Sequence, residues 1–374
     1  MRIGFITGEY PPLQGGIGAY TDILAKRLQQ QGHDVFVFSN NRTEQQSSEI
    51  PLANTIEKWE WATNRTVNQW ANEHQLEIVN LQFQTAAFDM SPWIHFMPHV
   101  VDVPFVTTFH DLRFPYLFPK AGFLRDWIVM HLAKSSGGVI VTNHEDMQRV
   151  NDLRSIMIPI GSNITATDEV DCEAWREKVN LTADDFVVAH FGFINHSKGI
   201  DTLLRAIAEL NNLSIKLLMI GGRTGASDPT NIAYSENIDS LISKLNLDSQ
   251  VIWTGYVDSD EVSAYLQSAD VVTLPFRDGA SFRRGSLMAA IEQTCPIITT
   301  RPNLDIPEFT PDNMHLIEPD NPAELANAIL TLKQSPEKRD LLKQNVAALH
   351  HRFDWDVIAS DTVSFFGQVI GAQA

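Results

Sequence analysis

Only two of the 374 residues are cysteine, Cys172 and Cys295, and neither belongs to a CxxC pair or a Cys/His cluster. That excludes a disulfide-stapled scaffold and a thiolate zinc site, and makes a reducing compartment the expectation. Apolar runs are short, well below the roughly 20 residues that span a bilayer. The first of them, Ile3-Gly4-Phe5-Ile6, turns polar by Thr7 and reads as a buried strand rather than a secretory leader. A soluble, cytoplasmic protein is therefore expected. Positive charge is scarce as well: 28 Lys and Arg against 46 Asp and Glu give a formal net charge of −18. Nucleic acid is disfavoured as a principal partner, because phosphate binding needs a basic surface.

What is present is apolar material in regular instalments. The hydrophobic share is 44%, enough for two cores in a chain of this length. Strand-like blocks occur at Arg2–Thr7, Val35–Phe38, Ile78–Leu81, Val103–Thr108 and Gly138–Thr142. Between the first two, Ile17, Tyr20, Ile23, Leu24 and Leu28 recur at helical spacing, and Gly32 suits a helix end. The pattern pauses at Ile158–Gly161 and a polar, acidic stretch, Thr165–Glu173. It restarts with Phe186–Phe191, a helix over about Ile200–Leu210, and strands at Ile215–Ile220, Val251–Thr254, Val271–Leu274 and Ile297–Thr300. Helices at about Pro322–Lys333 and Pro336–His350, then an amphipathic tail Phe353–Val369, close the chain. Alternation of this kind predicts parallel sheets covered on both faces, with ligands beyond the carboxyl ends of the strands.

Four strand-end loops carry candidate chemistry. The glycines of Gly8–Gly18, Gly15 and Gly16 among them, allow close backbone approach to a diphosphate or a sugar, though GxGxxG is absent. Phe109-His110-Asp111 brings an imidazole to the end of a buried strand, where it can hydrogen-bond a sugar without a metal. In His190–Asp201, which includes Gly192, Lys198 lies beside a helix start, a place that favours an anion. In Leu274–Leu287, Ser286 and the amides near Gly285 form a helix start, with Arg283 and Arg284 to neutralise a departing diphosphate. Asp278 is that loop's one acid, suited to accept from sugar or ribose hydroxyls. His95, His99 and His110 are spaced too irregularly for a metal-binding pair. Leu112–Leu132, with Phe114, Pro115, Tyr116, Leu117, Phe118, Phe123 and Trp127, fits either a core-packed loop and helix or a hydrophobic approach for a lipid-linked acceptor or a peripheral membrane contact.

In their order and spacing these segments resemble the family 4 glycosyltransferases over nearly the whole chain. The resemblance is carried by Phe5–Pro12 with Gly15-Gly16, by Thr108–Asp111, Ile158–Asn163 and Gly255-Tyr256-Val257, and by Ser268-Ala269-Asp270 and Phe353-Asp354-Trp355. It implies an α/β fold of GT-B architecture: two Rossmann-like, doubly wound parallel-sheet lobes with a cleft between them. The acceptor-side lobe would be residues 1–163, with the C-terminal helix 353–374 packing back on it, and the nucleotide-sugar donor lobe residues 164–352. The implied enzyme is a retaining, metal-independent, hexosyltransferase-like glycosyltransferase without a cofactor. Its donor would be a nucleoside-diphosphate sugar and its acceptor a saccharide, lipid-linked or other hydroxyl.

On that resemblance His110, Lys198 and Asp278 are the catalytic candidates. Gly15, Gly16, Gly192, Lys198, Tyr256, Ser281, Arg283, Arg284, Gly285, Ser286 and Leu287 are the donor and phosphate candidates, and no metal ligand is expected. The chain departs from the family pattern where an arginine is usual, at Phe193, and where two glutamates are usual, at Ser281 and Ala289. Asp278 and Glu292 are the nearest substitutes for those glutamates, and Arg283 or Arg284 for the lost arginine. A sugar-nucleotide epimerase of the same architecture and a non-catalytic sugar-nucleotide-binding subunit are the alternative readings. An acceptor requirement separates the first from a transferase, and turnover separates the second.

Overall fold

Strands buried on both faces read as near-continuous apolar runs, and most inner strands of this chain are of that type, with polar exceptions at Asn80, Gln82, Thr107 and Thr108. The computed structural model describes residues 1–13, 15–43, 50–112, 122–167, 169–223 and 229–372. The chain divides into one unit made of Met1–Asn163 with Asp354–Ala374, and a second made of Ile164–Phe353.

In the first unit β1 (Arg2–Thr7), β2 (Asp34–Asn40), β3 (Leu52–Ile56), β4 (Ile78–Phe83), β5 (Phe105–Phe109), β6 (Gly138–Val141) and β7 (Ser155–Met157) form a seven-stranded parallel sheet. Its order is β3-β2-β1-β4-β5-β6-β7, so the winding reverses between β1 and β4, where such sheets place ligands. Helices α1 (Gly16–Gln30), α2 (Trp61–Glu73), α3 (Gly122–Ser135) and α4 (His144–Val150) accompany it. The alternation of β1 splits its side chains between two cores. Ile3 and Phe5 pack with Tyr20 and Leu24 of α1, whereas Ile6 joins Phe38, Leu81 and Phe109.

The second unit repeats the plan. Strands β8 (Phe186–Phe191), β9 (Ile215–Ile220), β10 (Val251–Gly255), β11 (Val271–Leu274), β12 (Ile297–Thr300) and β13 (His315–Ile317) form a six-stranded sheet of order β10-β9-β8-β11-β12-β13. Helices α5 (Cys172–Lys178), α6 (Ile200–Leu210), α7 (Pro229–Lys244), α8 (Ser259–Gln267), α9 (Gly285–Glu292), α10 (Pro322–Gln334) and α11 (Pro336–His350) surround it. Here the winding reverses between β8 and β11.

The last helix, α12 (Trp355–Gly371), belongs to the first unit. Ile358, Phe365, Phe366 and Val369 are buried in the same core as Ile3, Phe5 and Tyr20. The Trp355 indole N–H donates to the carbonyl of Ser162 over 2.8 Å. Two glycines let this helix approach the sheet. A Cβ at Gly138 would lie 2.7 Å from Val369 Cγ2, and one at Gly161 would lie 2.6 Å from the Trp355 ring.

Strands β3, β7 and β13 are not among the blocks read from the sequence. All three are short edge strands, half-exposed along much of their length, so they lack the continuous apolar signature of the inner strands.

Candidate active site

In the second unit the loop after β8 turns sharply into α6. Asn195 Oδ1 accepts from the Ser197 amide over 2.8 Å and from its hydroxyl over 2.7 Å, which orders a 3-10 turn, His196–Lys198. Gly199 follows at φ +64, and a Cβ there would lie 2.1 Å from the Pro275 carbonyl. Only glycine fits this junction. Gly192, at φ +116, plays a similar part at the other end of the loop. A Cβ at Gly192 would sit 2.0 Å from Lys198 Nζ and 3.9 Å from the Ser286 Cβ. The ammonium thus lies over the glycine backbone and near the start of α9.

Arg284 reaches the same place from the loop after β11. Its guanidinium stacks 4.8 Å from the Phe276 ring centroid, donates to Ser197 Oγ over 3.3 Å, and ion-pairs with Asp278. Burial and the neighbouring Arg284 charge together lower the Lys198 pKa to about 8. Two cations held this close repel each other, and an anion between them relieves the cost. The first turn of α9 adds to the same field: among the described residues no hydrogen bond occupies the Gly285 and Ser286 amides, as expected for a helix start.

Arg277, which the sequence reading passed over, ties this region together. It pairs with Asp201 of α6 over 2.7 Å and with Asp320 over 2.7 Å, donates to the His196 carbonyl over 3.3 Å, and its amide donates to the Ser197 carbonyl over 2.9 Å. Burial alone would raise the Asp201 carboxyl, but the Tyr234 hydroxyl and Arg277 outweigh it and hold the pKa below its ordinary value. His190 on β8 was also passed over. It is fully buried, and its Nδ1 bonds the Thr273 carbonyl over 2.9 Å. Desolvation, then the Lys198 charge, lowers its pKa to about 3, so it is neutral. A histidine on a strand otherwise made of Phe, Val and Ala was the available signal.

The Leu287 side chain is fully buried, and its amide donates to the Arg284 carbonyl over 2.9 Å. Asp278 ion-pairs with the Arg284 guanidinium through Oδ1 and so helps to position that cation. Glu292 lies at the far end of α9 from Arg284 and bonds His350 Nε2 over 2.9 Å. Ser281 closes the turn before α9 by accepting from the Arg284 amide over 3.1 Å, and Arg283 is half-buried beside it. At the ends of β8 and β10, Phe193 is 49% exposed and Tyr256 77% exposed, the latter following Gly255 at φ +73.

In the first unit, Gly15 caps α1 from an extended conformation, and Gly16 begins the helix exposed. A Cβ at Gly15 would lie 1.9 Å from Glu9 Oε2, so the Glu9 carboxylate folds over this glycine. Burial raises the Glu9 pKa, opposed by Arg42. Gln14 of the same loop lies outside the described residues. His110 extends from β5, half-buried. Its Nε2 meets Gln82 Oε1 at 2.7 Å, and the Tyr20 ring stands edge-on with centroids 4.8 Å apart. Desolvation lowers the His110 pKa to about 4, which leaves the imidazole neutral.

Of the apolar segment between Leu112 and Leu132, residues 113–121 and the side chains of 122–125 lie outside the described residues. Trp127 is exposed and stacks on His131 with centroids 5.5 Å apart. Among the described residues no helix is long and apolar enough to cross a membrane, and no cluster of three or more His, Cys, Asp or Glu is placed to hold a metal. Two Asp-x-Asp triplets are helix starts: Asp258 caps α8 and Asp354 caps α12.

Residues 171–348 match the family model for glycosyl transferases group 1, and residues 14–157 match that for glycosyltransferase family 4. The chain is 22% identical over 295 residues to the alpha-monoglucosyldiacylglycerol synthase of Streptococcus pneumoniae strain R6, a match covering 72% of this chain and 65% of that protein. The matched region thus spans slightly under two thirds of that relative's length. Among solved structures, Anabaena HepE in complex with UDP superposes with a TM-score of 0.80 at 19% identity, covering 98% of this chain and 100% of that one. Sucrose-phosphate synthase from Thermosynechococcus elongatus gives 0.75 at 20% identity, with 99% of each chain covered.

Proposed function

The chain belongs to the family 4 glycosyltransferases, and from that premise we propose that it transfers a sugar, with retention and without a metal, from a nucleoside-diphosphate sugar to an acceptor hydroxyl. The observation that carries the donor assignment is the convergence of Lys198, Arg284 and the first turn of α9 around Gly192. Anabaena HepE, which shares this fold, was solved in complex with UDP, and that supports a nucleoside-diphosphate donor here.

In the proposed reaction the bond between the anomeric carbon and the leaving phosphate oxygen breaks. The acceptor oxygen attacks on the same face, and its proton passes to the departing diphosphate. Negative charge grows on that diphosphate, so fixed cations stabilise the transition state more than the ground state. Lys198 and Arg284 supply the charge, while Asp278, Ser197 and Phe276 fix Arg284 in direction. Arg284 thereby stands in for the arginine usual at the Phe193 position. Tyr256 is assigned to the nucleobase side, Gly15 and Gly16 to backbone contacts, and His110 to the transferred sugar. Support for the last three comes from their strand-end positions.

The test is a thermal-shift screen in EDTA against UDP-, GDP-, ADP- and dTDP-sugars, because a ligand of the folded state raises the melting temperature. One donor is expected to raise it in the wild type and to lose that effect in Lys198→Ala. Undiminished donor affinity in a folded Lys198→Ala would sink the assignment. Donor binding with neither transfer nor hydrolysis would favour a non-catalytic binding subunit.

A further inference from the structure

β4 reads Ile-Val-Asn-Leu-Gln-Phe, and its two polar side chains, Asn80 and Gln82, are both fully buried on one face. They pair in register with Val106 and Thr108 of β5, which lie four and two positions before His110. Their hydrogen bonds run in a fixed direction. Asn80 Nδ2 donates to the Val106 carbonyl over 3.2 Å, and a carbonyl can only accept. The same amide nitrogen reaches Thr108 Oγ1 at 2.9 Å. Asn80 Oδ1 must therefore be an acceptor, and it takes bonds from Thr108 Oγ1 at 3.1 Å and from Gln82 Nε2. With its nitrogen so used, Gln82 turns its oxygen toward His110 Nε2. An amide oxygen accepts, so Nε2 carries the hydrogen.

We infer that Asn80 and Gln82 are positioning residues that hold His110 in its Nε2–H tautomer, so that Nδ1 presents a lone pair and takes a hydroxyl hydrogen from the sugar. The inference rests on the glycosyltransferase reading and deepens it, because it fixes which way the bond to the substrate points. A neutral imidazole offering a lone pair repels a phosphate or carboxylate and accepts from a hydroxyl. His110 is thus a sugar-hydroxyl acceptor and not part of the diphosphate site. Leaving these amides unpaired in a buried strand pair would be costly, and their mutual bonding holds the orientation.

The first measurement is long-range proton–nitrogen NMR on the full chain with labelled histidine, the His110 signals being identified by their loss in His110→Ala. The wild type is expected to show the Nε2–H tautomer alone at neutral pH. A dominant Nδ1–H form or an imidazolium overturns the inference, and leaves the glycosyltransferase reading untouched. Gln82→Leu, checked for an unchanged melt, is expected to give mixed tautomers; a wild-type pattern in that variant also overturns it. The second measurement compares UDP-glucose with its monodeoxy analogues. One analogue is expected to bind about fivefold more weakly, the worth of one hydrogen bond, and His110→Ala is expected to abolish that difference. A panel with no such penalty, or with a penalty that persists in His110→Ala, removes the hydroxyl contact. An intact tautomer pattern together with normal transfer by His110→Ala would instead count against the catalytic reading of His110.

Discussion

At Lys198 two unfavourable conditions meet, burial and a neighbouring guanidinium, and the pKa falls from 10.5 to about 8. Below about pH 8 the amine is charged in both folded and unfolded chains, so the whole penalty is present. Between about 8 and 10.5 the folded amine gives up its proton first, and the unliganded protein gains stability from this group as pH rises. Donor binding runs the other way, because the diphosphate needs the charged form. Affinity for UDP-glucose, followed by calorimetry, is expected to be level up to about pH 8 and then to weaken by up to tenfold per unit. In Lys198→Arg the bend should disappear, since a guanidinium stays protonated over this range. Gly192→Ala is the companion test. Its Cβ would collide with the Lys198 ammonium at a positive φ, and at least a tenfold loss of donor affinity is expected with the fold retained. The position of Lys198 was legible from the sequence, because a strand, a short loop and a helix start are all written locally. The roles of Arg277, Asn80 and Gln82 were not, since each depends on partners from distant segments.

Among the elements, α12 shows how a helix remote in sequence becomes part of a sheet's cover. Its amphipathic pattern was plain in the chain, but the two glycines that admit it, Gly138 and Gly161, are separated from it by about the length of the second unit. Gly138→Ala would push a methyl group to 2.7 Å from Val369 and 2.9 Å from the Phe365 ring. Overpacking of this kind costs about 1–3 kcal/mol, visible as a lower melting temperature of the full chain. Trp355→Phe keeps most of the packing and removes the bond to Ser162; a loss of about 1 kcal/mol is expected. An unchanged melt in both variants would mean that α12 contributes little to this unit. The inner strands were readable for the reason the edge strands were not. Phe186–Phe191 is apolar nearly throughout and flanked on both sides, whereas Ser155–Met157 is three residues long and half-exposed.

For the whole molecule, the path of the chain makes the two units unequal. The second is one continuous stretch, Ile164–Phe353, with its own six-stranded sheet and a core built from Phe186, Leu203, Ile215, Leu217, Ile298 and Ile329. The first is discontinuous and completes its core only with Ile358, Phe365, Phe366 and Val369 from the far end of the chain. All the side chains assigned to the diphosphate, Lys198, Arg284 and their supports, lie within the continuous unit. A chain of residues 164–353 alone is therefore expected to fold cooperatively and to bind UDP within about tenfold of full-length affinity, with the binding abolished by Lys198→Ala. A chain of residues 1–163 alone should aggregate, since the surface that α12 covers would be a large exposed apolar patch. Circular dichroism melts and calorimetry decide both. If residues 164–353 fold but give no heat with UDP, the cation pair beside Gly192 is insufficient, and the diphosphate grip must draw on groups outside that stretch.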